Sequence, residues 1–398
     1  MVRLGDNVNQ VFDRNDFDII YAKYFEDIIA NGSAVADPSG WAQTETEVRT
    51  YLPPSPAPSS LSSYIIDNRL HIASQKEVLI SLLQKWDCQK YEFDEITITP
   101  SISSASFAVL LMLRRNGVRT VFFETPAYYV TIEQAASIGI RICRIPTYYS
   151  DQYAWDPARL HRRSRSPVAV WLTQPRFALG LDQRHEHIVS LLQYTKSNDF
   201  IIIDETADQR WPTSLSNVKL HQGPSNIIKI RGYTKPLGLN GLRLSFIIHS
   251  AGHRSALQEL QWTVGAALDY YSLAAAVQIA SDPALFRSML SAARNRILAT
   301  YRRLSVLAFG KGIGLSAMEN GYLGSATVDW SPGRGTYANK RQSLLEHCRE
   351  WKLPVTLGSA MLFAHDPLRE HVRLNYFMST LDLEFCIQRL AQFRAAME

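Results

Sequence analysis

Cysteine is scarce in this chain. The four cysteines, Cys88, Cys143, Cys348 and Cys386, are far apart and make no CxxC spacing. That argues against a disulfide framework, and most are expected to be buried thiols in a reducing compartment. No His or Cys pair has ligand spacing, so a zinc site is not expected. Long apolar runs are also missing: no uninterrupted stretch could span a bilayer. The opening residues, Met1-Val2-Arg3-Leu4-Gly5-Asp6-Asn7, lack the apolar core of a secretory signal. The expectation is a cytoplasmic protein with no membrane contact. Neither sign of charge dominates. The 42 Lys and Arg residues are scattered among 37 Asp and Glu, for a net charge of +5. With no basic stripe, nucleic acid is not an expected partner, although a basic pocket for an anionic ligand would account for part of the excess. No GxGxxG follows an early strand, which removes a nicotinamide dehydrogenase from consideration.

What is present is an ordinary globular composition, 46% hydrophobic and 20% charged, over 398 residues. That length calls for a large domain and a smaller one. Up to about Arg49 the chain is mixed and polar, with one helix expected from Phe17 to Ile29. The segment Leu52-Pro53-Pro54-Ser55-Pro56-Ala57-Pro58 reads as a stiff extended arm, or alternatively as a disordered surface loop. Helical patterning runs from Ser74 to Trp86. Apolar runs then alternate with helical segments. Strands are expected at Ile96–Thr99, Thr120–Phe123, Arg141–Ile145, Val168–Leu172, Phe200–Ile203 and Ile227–Ile230. Helices are expected up to Leu113, from Thr131 to Ile138 and from His185 to Lys196. Such alternation implies a three-layer α/β domain with a mostly parallel sheet, whose site lies beyond the carboxyl ends of the strands. After Ile248 the pattern is largely helical, with a long run from Pro283 to Ala308 that could bridge two domains. Strands at Gly324–Asp329 and His371–Asn375 and helices at Gln342–Trp351 and Asp382–Met397 read as a smaller α+β domain. The expected division is 1–52 as an N-terminal arm with part of the small domain, 53–282 as the large domain, and 283–398 as the interdomain helix and C-terminal small domain.

One segment carries the chemistry. Ile227-Ile228-Lys229-Ile230 leads into Arg231-Gly232-Tyr233-Thr234-Lys235-Pro236-Leu237-Gly238, and Arg243 follows Lys235 by eight residues. Upstream, Phe200-Ile201-Ile202-Ile203 ends in Asp204. A lysine and an acid at the ends of two strands are what pyridoxal phosphate requires: an amine to form the imine, and a carboxylate to keep the ring nitrogen protonated. The competing readings are a solvated surface lysine and an aspartate that caps the next turn.

With "TPAYY", "TQPRFALG", "IIIDE", "GYTKPLGLNGLR" and "VRLNYF" in that order, the chain resembles the fold-type I pyridoxal-phosphate enzymes, and within them the class I/II aminotransferases, from about Pro53 to the C-terminus. The resemblance implies that Lys235 forms the imine and shuttles the proton at the substrate's α carbon, and that Asp204 pairs with the pyridine nitrogen. It implies that Arg243 and the turn at Ser101, Ile102 and Ser103 hold the phosphate, that Thr234, the hydroxyl residue before the lysine, also binds the cofactor, and that Tyr64 reaches the phosphate of a neighbouring subunit. Tyr128 would stack on the ring, unless it is a core tyrosine, and Arg373 would clamp the substrate carboxylate. A homodimer acting on an amino acid or keto acid is implied as well.

The chain departs from the family pattern at several positions. Ser101 stands where a glycine is usual, and Gly232 where a phosphate-binding serine is usual. Phe177 replaces the asparagine that hydrogen-bonds the cofactor's phenolic oxygen, and Ala207 replaces a tyrosine that contacts the same oxygen. Loss of both donors should raise the pKa of the imine unless Gln174, Arg176 or Thr206 substitutes. An aminotransferase is therefore the leading expectation. The alternatives are a lyase, decarboxylase or oxidase of the same fold in specialised biosynthesis, and a non-catalytic binding protein. Retention of Lys235, Asp204, Arg243 and Arg373 together argues against the last. Tyr21, Tyr24, Phe177 and Tyr322 are candidates for lining the substrate pocket or for core packing.

Overall fold

A computed structural model describes residues 69–154, 157, 166–218, 226–239, 242–264, 268, 270–330, 336–351, 353 and 355–397. The expected N-terminal helix, the proline-rich arm, Tyr21, Tyr24 and Tyr64 lie outside the described residues.

The described chain runs α1 (Arg69–Asp87), β1 (Ile96–Thr99), α2 (Ile102–Arg115), β2 (Thr120–Glu124), α3 (Tyr129–Ser137), β3 (Arg141–Ile145), β4 (Val168–Thr173), α4 (His185–Tyr194), β5 (Phe200–Asp204), β6 (Asn226–Gly232) and β7 (Ser245–Ile248). It continues through α5 (Arg254–Val264), α6 (Tyr270–Ala280), α7 (Pro283–Ala308), β8 (Ile313–Leu315), β9 (Leu323–Asp329), α8 (Tyr337–Glu350), β10 (Arg369–Asn375) and α9 (Thr380–Ala396). Seven strands form one sheet in the order β1-β7-β6-β5-β4-β2-β3. Pairing from β3 to β6 is parallel, and β7 is antiparallel to both of its neighbours.

The central strands are apolar on both faces because helices cover both. On β5, Phe200 and Ile202 join the core shared with α2 and α5, while Ile201 and Ile203 join the core shared with α4. This is the period-two alternation of a strand, with both faces buried. β6 breaks the apolar rule. Its Lys229 and Arg231 are fully buried. Arg231 donates to Asp87 at 2.7 Å and to Glu205 at 2.5 Å, and its guanidinium lies 4.8 Å from the Trp86 ring centroid.

The second sheet is antiparallel, in the order β10-β9-β8. α7 links the two sheets. Asp282 caps it by accepting from the Ala284 and Leu285 amides at 3.0 Å, and Pro283 occupies its first turn. Its first half packs Phe286, Met289 and Leu290 beside the seven-stranded sheet, and its second half packs Ile297, Leu304 and Ala308 against the smaller one. Two details differ from the sequence reading. The strand β8 was not foreseen, because its three residues include Gly314 and show no alternation. Only Cys348 and Cys386 are buried; Cys88 is exposed and Cys143 half-buried. No helix among the described residues is long and apolar enough to cross a membrane.

Candidate active site

Sheet register brings the predicted residues to one edge. Thr173 of β4 aligns with Asp204, Asp204 with Ile230 of β6, and both Gly232 and Thr99 of β1 with Ser245. The parallel strands end there. β7 runs the other way and begins there, which returns Arg243, two residues before Ser245, to the same edge.

Beyond β6 the chain is tightly held. The buried Tyr233 hydroxyl donates to the Ala276 carbonyl at 2.7 Å, and the Thr234 hydroxyl donates to the Leu242 carbonyl at 2.6 Å. The second bond closes the loop between Lys235 and Arg243. Lys235 opens a short 3-10 turn that ends at Gly238, whose φ of +75° suits glycine. The Lys235 Nζ lies 5.6 Å from the centroid of the Tyr128 ring. Burial pulls the lysine pKa down to about 8, with Asp204 opposing and Arg243 and Arg373 adding to the shift. A larger share of neutral amine at physiological pH follows.

Asp204 is buried at the end of β5. Its Oδ1 accepts from the Thr206 amide at 3.1 Å and from the Thr206 hydroxyl. Burial raises its carboxyl pKa, while Thr206 and Lys235 hold it back. Tyr128 is half-buried and shares a side-chain hydrogen bond with Ser103. Burial pushes its phenol up to about 12, and Arg373 opposes. Arg373 comes from β10 of the second sheet and is fully buried, and its charge is felt by Lys235, Tyr128 and Tyr322. Arg243 is exposed.

Ser101 caps α2, accepting from the Ser104 amide at 3.0 Å. Its φ of −168° is ordinary extended backbone, so no glycine is needed there. Ile102 is buried in the core of the sheet and Ser103 lies in the first helical turn. Gly232 also has a local reason. A Cβ at this position would lie 2.4 Å from the Thr206 carbonyl oxygen, so close strand packing excludes the serine that the family pattern prefers.

The three side chains that could stand in for Phe177 and Ala207 each have another partner, although Arg176 keeps a buried Nη2 with no hydrogen bond among the described residues. Gln174 donates to Asp182 at 2.6 Å and accepts from the Gln183 amide at 2.6 Å. Arg176 is ion-paired with the buried Glu124 at 2.6 Å, and the Thr206 hydroxyl is on Asp204. Phe177 is buried with its ring 5.8 Å from that of Tyr128, and it joins the core of the second sheet. Sequence reasoning missed the Glu124–Arg176 pair and the Arg231 cluster, since no local pattern names their partners. A cavity of about 760 Å³ lies on the Arg176 side, lined by residues that include Tyr149, Asp182 and Arg369, but it takes in none of Lys235, Asp204 and Tyr128.

The sequence matches the family "Aminotransferase class I and II" over residues 65–382. The chain belongs to that family. Class I and II aminotransferases depend on pyridoxal phosphate. No curated protein matches the chain by sequence. Solved aminotransferases share its fold. Thermus thermophilus aspartate aminotransferase with maleate superposes with a TM-score of 0.73 at 16% identity, over 94% of this chain and 95% of that one. The Thermotoga maritima aspartate aminotransferase gives 0.72 at 18%, over 95% and 96%. An aromatic aminotransferase from Pyrococcus horikoshii gives 0.73 at 15%, over 92% and 97%.

Proposed function

We propose that this chain is a pyridoxal-phosphate enzyme acting at the α carbon of an amino acid, most simply an aminotransferase. The observation that carries the reading is the pair Lys235 and Asp204, an amine of lowered pKa and a buried carboxylate at the ends of adjacent strands, each within the other's electrostatic reach.

The donor set fits the cofactor. Asp204 accepts both Thr206 bonds on one oxygen, and a buried carboxylate is stabilised by a cationic partner such as a protonated ring nitrogen. The N-terminus of α2 and the exposed Arg243 suit the phosphate. When bound, pyridoxal phosphate supplies the electron sink for the pair left by the α C–H bond. Lys235 would move the proton at that carbon, with an amine tuned near working pH. Asp204 would hold the proton on the ring nitrogen, Tyr128 would offer an aromatic face, and Arg373 would bind the substrate carboxylate and orient the C–H bond. The homodimer belongs to the same proposal.

One observation favours a second reading, a lyase, decarboxylase or oxidase of the same fold. Neither Phe177 nor Ala207 offers a donor, and Gln174, Arg176 and Thr206 are held by other partners. The experiment is a visible absorption spectrum of the purified protein with added pyridoxal phosphate, borohydride fixation and peptide mapping, then an amino-acid and keto-acid panel read for ammonia, carbon dioxide and peroxide. A band fixed on Lys235 with keto-acid exchange supports the aminotransferase. Ammonia, carbon dioxide or peroxide without exchange supports the second reading, and the absence of any band overturns both.

A further inference from the structure

The segment between β8 and β9 sits against both of the loops from which the phenolic-oxygen donors are missing. The Glu319 and Asn320 amides donate to the Gly180 carbonyl at 2.8 and 3.0 Å, in the loop that carries Phe177. The Asn320 side chain accepts from the Gln209 amide at 3.0 Å and donates to Asp208 at 2.8 Å, in the loop that carries Ala207. Gly321 touches both. A Cβ there would lie 2.5 Å from the Pro175 ring and 3.4 Å from the Ala207 carbonyl oxygen, and its φ is +74°. The next residue is Tyr322.

Tyr322 is 1% exposed and fixed on two sides. Its carbonyl accepts from the Tyr376 amide at 2.8 Å, and its ring stacks on Phe377 with centroids 4.8 Å apart. Its hydroxyl hydrogen-bonds to none of the described residues. Burial raises its pKa, and Arg373, Tyr128 and Asp204 also act on it. Those three residues bound the site, and each is close enough to act electrostatically on the phenol. A hydroxyl on a buried side chain needs a partner.

We propose that the Tyr322 hydroxyl is the hydrogen-bond donor to the cofactor's phenolic oxygen, supplied from the second sheet in place of the side chains absent at 177 and 207. The inference rests on the pyridoxal-phosphate reading of the site. A donor to that oxygen stabilises its deprotonated form and holds down the pH at which the bound cofactor changes colour.

The test uses the substrate-free holoprotein and a spectral pH titration. Tyr322→Phe is expected to raise the midpoint of the absorption change by about one pH unit or more, in line with the loss of one hydrogen bond to a charged oxygen. Tyr322→His, which keeps a donor, restores part of the shift. Affinity for 3-deoxypyridoxal phosphate, which lacks the oxygen, is expected to be the same in wild type and Tyr322→Phe, while affinity for pyridoxal phosphate falls several-fold. An unchanged midpoint in a folded Tyr322→Phe protein overturns the proposal, as does equal loss of affinity for the two cofactors. Should Tyr322→Phe not fold, a fluorinated tyrosine at position 322, which keeps the shape and makes the hydroxyl a stronger donor, decides: a lowered midpoint supports the role and an unchanged one overturns it. A wild type that takes up no cofactor overturns the underlying reading instead.

Discussion

The Lys235 ammonium lies 5.6 Å from the centroid of the Tyr128 ring, at a distance where a cation is attracted to an aromatic face. The two residues come from separate loops, after β6 and after β2, and they bound one side of the candidate site. If Tyr128 supplies the aromatic face for the cofactor, Tyr128→Leu weakens pyridoxal-phosphate binding by about 10-fold, the equivalent of about 1.4 kcal/mol and within the usual range of an aromatic contact. Fluorescence titration of the apoprotein measures it, and unchanged affinity rules the role out.

Lys235 is expected to show its function and its electrostatic penalty separately. Lys235→Met lowers turnover by at least about 10³-fold and leaves nothing for borohydride to fix. In the cofactor-free protein the effect on stability has the opposite sign. The folded pKa is about 8 against 10.5 for the ordinary side chain, so between those values the unfolded chain binds more protons and stability rises with pH. Below about pH 8 the penalty for holding the ammonium is fully present. Apo Lys235→Met is therefore the more stable protein at pH 7, and its lead narrows as pH rises toward 10. Melting curves across that range check the sign.

Asp204 follows the same logic as an acid. Its pKa is raised by burial, so stability is lost as pH rises through the ordinary carboxylate range toward the folded value. At pH 7, Asp204→Asn is expected to raise the apoprotein Tm by about 1–2 °C and to reduce the further rise on adding pyridoxal phosphate. Thermal melts with and without cofactor separate the two effects. A variant that loses apo stability and keeps the whole cofactor-dependent gain contradicts the assignment.

Gly232→Ala places a methyl group within 2.4 Å of the Thr206 carbonyl oxygen. Backbone does not yield as a flexible side chain does, so destabilisation of about 1–3 kcal/mol is expected. Gly232→Ser, although it restores the usual family residue, is expected to destabilise equally and to gain no phosphate affinity. Urea denaturation and cofactor titration test the two parts.

Much of this organisation was legible in the sequence. The strands around Asp204 and Lys235 are apolar runs ended by a polar residue, and those runs fall in the buried centre of the sheet. Asp282 and Pro283 mark the start of α7 by cap chemistry alone, and its end at Ala308 followed from helical patterning. The family pattern then pointed to Tyr128, Arg243 and Arg373. The fate of the polar residues was not legible. Gln174, Arg176 and Thr206 looked available as donors, and the fold gives each to another partner. Arg231 sits in an apolar run, and its acidic partner Asp87 is 144 residues away. Tyr322 read equally well as pocket or core.

The sequence by itself determined the order of elements and which residues stand at the strand ends, because strand burial follows local apolar content and helix ends follow local capping. Only the tertiary structure decided which polar side chains remain open to a ligand. That depends on which segments the sheet register and the β8–β9 connection bring into contact, and a buried donor takes whichever acceptor those contacts place beside it.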